Sequence, residues 1–206
     1  MEAFEDRARR GGATAIEEVE RFFMKDDAVH KALRNITARL EELGIPYAVA
    51  GGMALVGHGY RRTTVDVDIL VKPDGLVAIH QRLEGLGYVP PFAGSKNLRD
   101  VESGVRIEFL VSGQFPGDGK PKPVAFPDPT MAAVEMDGIR YLKLDKLIEL
   151  KLASGLTNPL RLKDLADVQE LIRSVKPPRE LAEQLDPSVR QTYLDYWDAL
   201  QAAPPE

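Results

Sequence analysis

The segment YAVAGGMALVGHGYRRTTVDVDILV, residues 47–71, constrains the fold more than any other part of the chain. Four apolar residues typical of a buried strand lead into the glycine pair Gly51 and Gly52, and a short helical pattern follows over 53–58. Beyond this pattern the side chains alternate among residues with high β-propensity, which predicts a second strand. One face of that strand carries Arg62, Thr64, Asp66 and Asp68. The segment therefore predicts a strand, a glycine turn, a short helix and a strand with an acidic face.

Asp66 and Asp68 are candidate metal ligands. Two acids that are two residues apart on a strand project from the same face, with Cα atoms about 6.5 Å apart, so both carboxylates can reach one ion. Apolar residues flank both acids, and half-buried like charges repel each other and lose hydration unless a divalent cation lies between them. The simpler alternative is the solvated face of a half-exposed sheet.

Glu108 is the candidate for a third carboxylate. It lies in the alternating stretch GVRIEFLVS, residues 104–112, which predicts a strand with Arg106 and Glu108 on one face. On a neighbouring strand, a third carboxylate would complete a site for two ions about 3.5–4 Å apart, which is the arrangement suited to in-line phosphoryl or nucleotidyl transfer. A cross-strand ion pair with Arg62 or Arg106 is the alternative interpretation of Glu108.

The composition limits which metal and which chemistry the chain can use. It contains no cysteine, and its 3 histidines do not lie at a metal-ligand spacing, so disulfides, thiolate catalysis and sulfur-ligated zinc are excluded. Ligation by oxygen alone favours Mg²⁺ or Mn²⁺. The net charge of -5 gives no global attraction to nucleic acid, so a polynucleotide would have to bind at a local basic patch.

The remaining patterns predict an α/β (α+β) fold. Apolar residues at three- and four-residue steps predict helices over 14–43, 74–86, 144–154 and 161–173, with short helices from there to about residue 202. The Asp137-Gly138 turn predicts a hairpin over 133–142. We expect a small mixed β-sheet that carries the acids on one face, helices behind it and a C-terminal helical lobe that closes the cleft.

The length and the two ends of the chain lead to further expectations. With 206 residues there is room for one core and a smaller lobe, which we place as an N-terminal helical segment at 1–44, a catalytic core at 45–142 and a helical lobe at 143–206. No apolar run approaches the roughly 20 residues that a membrane-spanning helix needs. The first twelve residues, MEAFEDRARRGG, lack the apolar stretch of a secretory signal. We therefore expect a cytoplasmic monomer or homodimer.

The segment AVAGGMALVGHGYRRTTVDVDILV, residues 48–71, resembles the signature of the polymerase-β-like nucleotidyltransferase superfamily, in which Gly-Gly or Gly-Ser precedes Asp-x-Asp or Asp-x-Glu. The later segments LDKLIELKLASGL and RLKDLADVQELI resemble helices of its small bacterial branch, which includes toxin-like and abortive-infection nucleotidyltransferases. The resemblance covers about residues 45–173. It implies transfer of a nucleoside monophosphate from a nucleoside triphosphate, such as ATP, to an acceptor, with release of pyrophosphate.

The resemblance also implies a role for each motif residue. The implied metal ligands and catalytic acids are Asp66, Asp68 and Glu108. The implied nucleotide-binding residues are Gly51, Gly52, Arg62, Thr64, Lys151 and Asp167. Glu108 would help to activate the acceptor hydroxyl, and Lys151 would reach the triphosphate. Gly52 stands where many relatives have serine, so a hydroxyl contact to phosphate is lost and backbone contacts would have to suffice.

Two of these residues have structural alternatives. Lys151 also fits the polar face of an amphipathic helix. Asp164 and Asp167 lie three residues apart on a predicted helix, so one of them can face the cleft while the other caps the helix or forms an ion pair.

Three hypotheses for the function follow. The first is an active nucleotidyltransferase that acts on an RNA end such as that of a tRNA, on a protein hydroxyl or on a small molecule. The second is a catalytically silent relative that binds a nucleotide or a partner protein, for example within a toxin-antitoxin pair. The third is a hydrolase or phosphotransferase that uses the same metal site and releases phosphate or nucleoside products.

Overall fold

A computed structural model of the protein describes residues 13–25 and 27–202. The strands in this part of the chain are β1 (Tyr47–Ala50), β2 (Asp66–Val71), β3 (Tyr88–Val89), β4 (Leu98–Asp100), β5 (Arg106–Val111), β6 (Ala133–Met136) and β7 (Ile139–Leu142). The α-helices are α1 (Ala13–Phe23), α2 (Ala28–Glu42), α3 (Gly51–Gly57), α4 (Pro73–Leu83), α5 (Pro129–Ala132), α6 (Leu144–Thr157), α7 (Leu162–Val175) and α8 (Pro187–Ala202). The seven strands form one mixed sheet in the order β3-β4-β5-β2-β1-β7-β6, which confirms the predicted α/β class.

The centre of the sheet positions the acids. Strand β2 is antiparallel to β1 and parallel to β5, and the β2–β5 register sets Asp66 opposite Arg106 and Asp68 opposite Glu108. Every second side chain on these two strands is fully buried, and α2 packs behind β2 while α4 packs behind β5. These buried residues are Val67, Ile69, Ile107 and Phe109. The apolar face anchors the strands, so the acids must face the opposite side of the sheet.

The predicted helical region at 14–43 forms two helices, α1 and α2. They are separated near Lys25, which has a φ of 56°. Asp27 begins α2 as its N-cap, because its side chain accepts a hydrogen bond of 2.7 Å from the backbone N–H of His30. The apolar positions that predicted this helix are buried at 0–2% exposure, namely Val29, Leu33, Ile36 and Leu40.

Strand β2 begins at Asp66, later than the alternation over 61–71 predicts. The ladder with β5 starts opposite Asp66, at Arg106, so the described strands provide no partner for residues 61–65. The prediction that Arg62 and Thr64 share a strand face with the aspartates is therefore wrong. Both residues precede the strand, and alternation along β2 does not set their side-chain directions.

Two short strands at one side of the sheet were absent from the predicted pattern. Strands β3 and β4 are two and three residues long, and they lie in the connection between α4 and β5. Such short segments cannot display a period of two, so their assignment depends on tertiary pairing. The predicted hairpin is present as β6 and β7, and it turns at Asp137 and Gly138, both with positive φ.

The C-terminal helices α6, α7 and α8 pack on one another. Helix α8 is a single helix of 16 residues where the sequence predicted several short ones. Its aromatic residues anchor it, since the Tyr193 hydroxyl donates to the Pro178 carbonyl at 3.0 Å and the Trp197 indole N–H donates to the Pro177 carbonyl at 3.1 Å. This packing fixes α6 and α7 beside the sheet.

None of the helices that the structure describes is long and apolar enough to cross a membrane. The charged segment 1–12, on which the cytoplasmic expectation rests, lies outside the described residues.

Candidate active site

A cleft of about 760 Å³ lies between the acidic face of the sheet and helices α6 and α7. Its sheet side includes Gly51, Gly52, Thr64, Asp66, Asp68, Arg106 and Glu108. Its helical side includes Lys151, Ser154, Arg161, Lys163, Asp164 and Asp167. Arg62 also lines it, so all nine residues that the sequence proposed for the site border one cavity.

The three predicted carboxylates are partly exposed to this cleft. Asp66 and Glu108 have side-chain exposures of 24% and 32%, and Asp68 is half-buried. Nη2 of Arg106 lies 2.6 Å from Oε1 of Glu108 and 3.6 Å from Oδ2 of Asp66. The alternative interpretation of Glu108 as an ion-pair partner of Arg106 is therefore confirmed as a contact, whereas the pairing with Arg62 is not formed.

Asp68 is electrostatically the most strained of the three acids. Its pKa is raised from 3.8 to about 7, first by burial and then by the negative charges of Asp66 and Glu108. Lys151 and Arg161 oppose this effect only in part. A half-buried acid among other acids is a setting in which a bound cation is strongly stabilising.

The glycine pair is required by the close approach of α3 to the acids. Gly51 has a φ of +56°, and an added Cβ would lie 1.7 Å from Oδ2 of Asp68. A Cβ on Gly52 would lie 2.6 Å from the hydroxyl oxygen of Thr64. The sequence predicted a separate glycine turn before the helix. In the structure the two glycines are instead the first residues of α3. Any side chain at either position would displace the residues that form the site.

Thr64 holds Asp66 in place. It is 8% exposed, and its hydroxyl donates a 2.8 Å hydrogen bond to Oδ1 of Asp66. The hydroxyl therefore acts on a carboxylate of the site, a contact that the residue pattern did not predict.

Lys151, Arg62 and Asp167 form a buried ion-pair network on the helical wall. Nη1 of Arg62 donates to both carboxylate oxygens of Asp167, at 2.6 and 2.8 Å. Nζ of Lys151 donates to Asp167 at 2.7 Å and to Asp164 at 2.9 Å. Lys151 is buried, so it does not lie on an exposed polar helix face; it lines the cleft and joins α6 to α7.

Asp164 completes the network. It accepts hydrogen bonds from the Ser154 hydroxyl at 2.7 Å and from Nε of Arg161 at 2.9 Å. Burial alone would raise its pKa, but Lys151, Ser154 and Arg161 together hold the pKa below its ordinary value. The network contains three cations and two carboxylates, so this wall carries a net positive charge.

The far wall of the cleft comes from a loop whose role the sequence did not reveal. Residues 113–123 are tied to the end of α6, because Nζ of Lys122 donates to the Thr157 hydroxyl at 2.9 Å and Asn158 donates to the Gly117 carbonyl at 3.1 Å. Two half-buried aromatic rings, Phe115 and Phe126, line this side. Glycine and proline in the sequence indicated a loop but gave no sign of where it would pack.

Among the described residues, no three His, Cys, Asp or Glu side chains are arranged as a ready-made metal cage. The guanidinium of Arg106 lies between Asp66 and Glu108 and occupies the point on which these two acids converge. Asp66 and Asp68 remain the pair whose spacing along one strand fits a shared ion.

The sequence matches no protein-family model and no curated protein. Several solved structures are similar to this chain, among them the following three. The solution structure of the antibiotic-resistance factor ANT(2'')-Ia has a TM-score of 0.50 and 14% identity, over 82% of this chain and 92% of that one. A crystal structure of ANT(2'')-Ia with adenylyl-2''-tobramycin has a TM-score of 0.49 and 12% identity, over 84% and 98% of the two chains.

The third similar structure is an H. pylori protein proposed to be a nucleotidyltransferase, with a TM-score of 0.47 and 17% identity over 83% and 91% of the two chains. Identities at this level show a shared fold and nothing finer. The likeness to the ANT(2'')-Ia solution structure thus shows that the chain shares the fold of that protein.

Proposed function

We propose that this protein transfers a nucleoside monophosphate from a nucleoside triphosphate to an acceptor hydroxyl, with release of pyrophosphate. One observation carries the proposal. Asp66, Asp68 and Glu108 share one face of two adjacent parallel strands, within a cleft of about 760 Å³ whose opposite wall is positively charged. Phosphoryl-group chemistry needs both a carboxylate-bound cation at the reacting phosphorus and fixed positive charge around the leaving phosphates.

The residues present fit a Mg²⁺ or Mn²⁺ ion. The donor set consists of oxygen atoms, and Oδ2 of Asp68 lies against the first residue of α3, where a Cβ on Gly51 would be only 1.7 Å away. Asp66 and Asp68 would hold the ion, with Glu108 as the third acid. When bound, the ion would neutralise phosphate oxygens and lower the pKa of the attacking hydroxyl.

The residues of the chain have separate tasks in this proposal. Glu108 accepts the proton of the acceptor hydroxyl, and Thr64 keeps the Asp66 carboxylate oriented through its 2.8 Å hydrogen bond. Lys151 and Arg62, already gathered on the helical wall, lie on the side where the triphosphate binds, and the network with Asp167 restrains their positions. In-line attack on the α-phosphorus then expels pyrophosphate toward this wall.

The apolar side of the cleft suits a planar ring. Phe115 and Phe126 are half-buried there, and Leu110, Leu147 and Leu150 also line the cleft. Aromatic rings stack on nucleobases with little sequence preference, so we place the base, or a base of the acceptor, on this side. We propose ATP as the first nucleoside triphosphate to test as the substrate.

The acceptor is an RNA end, including that of a tRNA, a protein hydroxyl or a small molecule. Membership of the toxin-like branch, a role in a toxin-antitoxin pair, a cytoplasmic location and a monomeric or homodimeric state remain predictions from the sequence. The division into an N-terminal helical segment at 1–44, a catalytic core at 45–142 and a helical lobe at 143–206 is also a prediction from the sequence.

The test is a transfer assay with α-labelled nucleotides. The protein is incubated with each α-³²P-labelled NTP, Mg²⁺ and separate pools of RNA, protein and small molecules that include aminoglycosides. Asp66→Asn and Asp68→Asn remove the carboxylate charge while keeping its shape. Asp74→Asn is the matched control, since Asp74 is exposed at the start of α4 and outside the cleft.

We expect label to enter one acceptor pool with the unaltered protein and with Asp74→Asn, and at least about 100-fold less with either cleft variant. Nucleotide binding without transfer by a folded protein would contradict the proposal and favour the silent binding relative. Label released as free nucleotide in every pool would favour the hydrolase.

A further inference from the structure

Arg106 lies where the second ion of a two-ion site would be expected. It faces the cleft from β5, in register with Asp66, and Glu108 follows it two residues later on the same face. Its Nη2 is 2.6 Å from one oxygen of Glu108 and 3.6 Å from one oxygen of Asp66. Asp66 and Glu108 lie on neighbouring strands, and a second ion would have to bridge these two acids.

The charge on Arg106 is permanent. A guanidinium is not deprotonated in proteins, so Arg106 keeps its positive charge whether or not an ion is nearby. A divalent ion bound to Glu108 would need that oxygen at about 2.0–2.1 Å and would meet a fixed positive charge at hydrogen-bond distance. Ion binding at this position would therefore require Arg106 to leave a short, charge-assisted contact.

Asp68 is arranged differently. In the β2–β5 register it lies opposite Glu108, whereas Asp66 lies opposite Arg106, and its Oδ2 packs closely against Gly51 at the start of α3. Asp66 can also bind an ion through Oδ2. This oxygen is 3.6 Å from Arg106, and the Thr64 hydroxyl donates to the other oxygen, Oδ1. The pair Asp66 and Asp68 can thus hold an ion while Arg106 and Glu108 stay together.

We infer that the cleft binds a single divalent ion, between Asp66 and Asp68, and that the guanidinium of Arg106 takes the place of the second ion between Asp66 and Glu108. This inference rests on the proposed function, because it assumes a metal site at these acids. It replaces the two-ion site expected from the sequence. In the proposed reaction, the positive charge beside Glu108 is supplied by the chain itself.

The experiment counts bound ions and does not depend on turnover. Binding of Mn²⁺ alone is followed by electron paramagnetic resonance of the free ion, for the unaltered protein, Arg106→Met and Arg106→Lys. Arg99→Met is the matched control, because Arg99 lies opposite Arg106 on β4 and bonds to the Gly104 carbonyl at 2.6 Å. Circular dichroism shows whether each variant is folded.

We expect one Mn²⁺ per chain for the unaltered protein, Arg106→Lys and Arg99→Met, and two for Arg106→Met. Two ions in the unaltered protein, or one in folded Arg106→Met, would overturn the inference and leave the proposed function standing. If Arg106→Met does not fold, the count for the unaltered protein and Arg106→Lys decides, because two ions in either overturns the inference. Binding of no Mn²⁺ by any of the proteins would overturn the metal site and hence the proposed function itself.

Discussion

At the scale of single residues, the cleft depends on how Asp66, Asp68, Glu108 and Arg106 are arranged on two strands. The three acids share one face because a period of two fixes which side of a strand a residue faces. Arg106 was identified only as a possible partner of Glu108. Its position between two acids depends on the register of β2 and β5, which pairing in three dimensions determines.

Replacement of Gly51 tests how closely α3 must approach the acids. In Gly51→Ala the new Cβ would meet Oδ2 of Asp68 at 1.7 Å, in addition to the strain of a φ of +56°. Gly44→Ala is the control, since Gly44 has a φ of +64° but no heavy atom within 4 Å of an added Cβ. Both variants should lose about 1–2 kcal/mol from the backbone, and only Gly51→Ala should also lose Mn²⁺ affinity and transfer activity. Equal metal binding by the two variants would argue against the close approach.

Thr64 provides a second test at this scale. Thr64→Val keeps the shape of the side chain but removes the hydrogen bond to Asp66, so a freer carboxylate should bind Mn²⁺ more weakly and transfer more slowly. Thr37→Val removes a buried hydroxyl that donates to the Leu33 carbonyl at 2.8 Å, away from the cleft. Calorimetric unfolding should show about 1 kcal/mol lost in both variants, while titration with Mn²⁺ should separate them. Unchanged affinity in Thr64→Val would remove the positioning role.

At the scale of elements, prediction succeeded where a segment carries a strong local signal. Strand β1 and the β6–β7 hairpin have the predicted bounds, because apolar runs and an Asp-Gly turn define them locally. Strand β2 is shorter than the alternating segment that predicted it, because it begins where pairing with β5 begins. Strands β3 and β4 are too short to show an alternating pattern, and pairing with neighbouring strands defines them. Helices α6 and α7 were predicted, but the buried network between them was not.

The α6–α7 network makes stability depend on pH through Asp164. Its pKa is lower in the folded protein than the ordinary 3.8, so the stabilisation is complete above about pH 4 and is lost as the pH falls further. Asp164→Asn should reduce the free energy of unfolding at pH 6 by about 1–3 kcal/mol, because Lys151 and Arg161 lose a buried partner. Between pH 6 and pH 3, the free energy of unfolding of Asp164→Asn should fall less than that of Asp74→Asn. Urea unfolding at each pH measures the difference. Parallel pH profiles would exclude Asp164 as the source.

At the scale of the whole molecule, the cleft depends on joining the sheet to the helices. The loop at 113–123 makes this connection, and Lys122 is central to it through hydrogen bonds to the Pro116 carbonyl at 2.7 Å and to Thr157 at 2.9 Å. Hydrophobic periodicity does not report on such contacts, which explains why the sequence located the acids without locating the wall opposite them.

Loosening this loop should weaken nucleotide binding more than the chemical step. Lys122→Met removes the bonds that hold the apolar wall, so we expect KM for the nucleotide to rise about 3- to 10-fold with a smaller change in kcat. Lys120→Met is the control, since Lys120 is exposed on the same loop. Steady-state kinetics with the acceptor identified by the transfer assay measures the difference. A fall in kcat alone would place the loop at the chemical step instead.

The most direct test of the central claim follows the two ends of the triphosphate separately. The protein is incubated in parallel with α-labelled and γ-labelled ATP, Mg²⁺ and the acceptor pools, beside Asp66→Asn and Asp68→Asn. We predict that the α-label enters the acceptor while the γ-label leaves as pyrophosphate, and that both events require the two aspartates. Transfer of the γ-label to the acceptor, or its release as inorganic phosphate, would contradict nucleotidyl transfer.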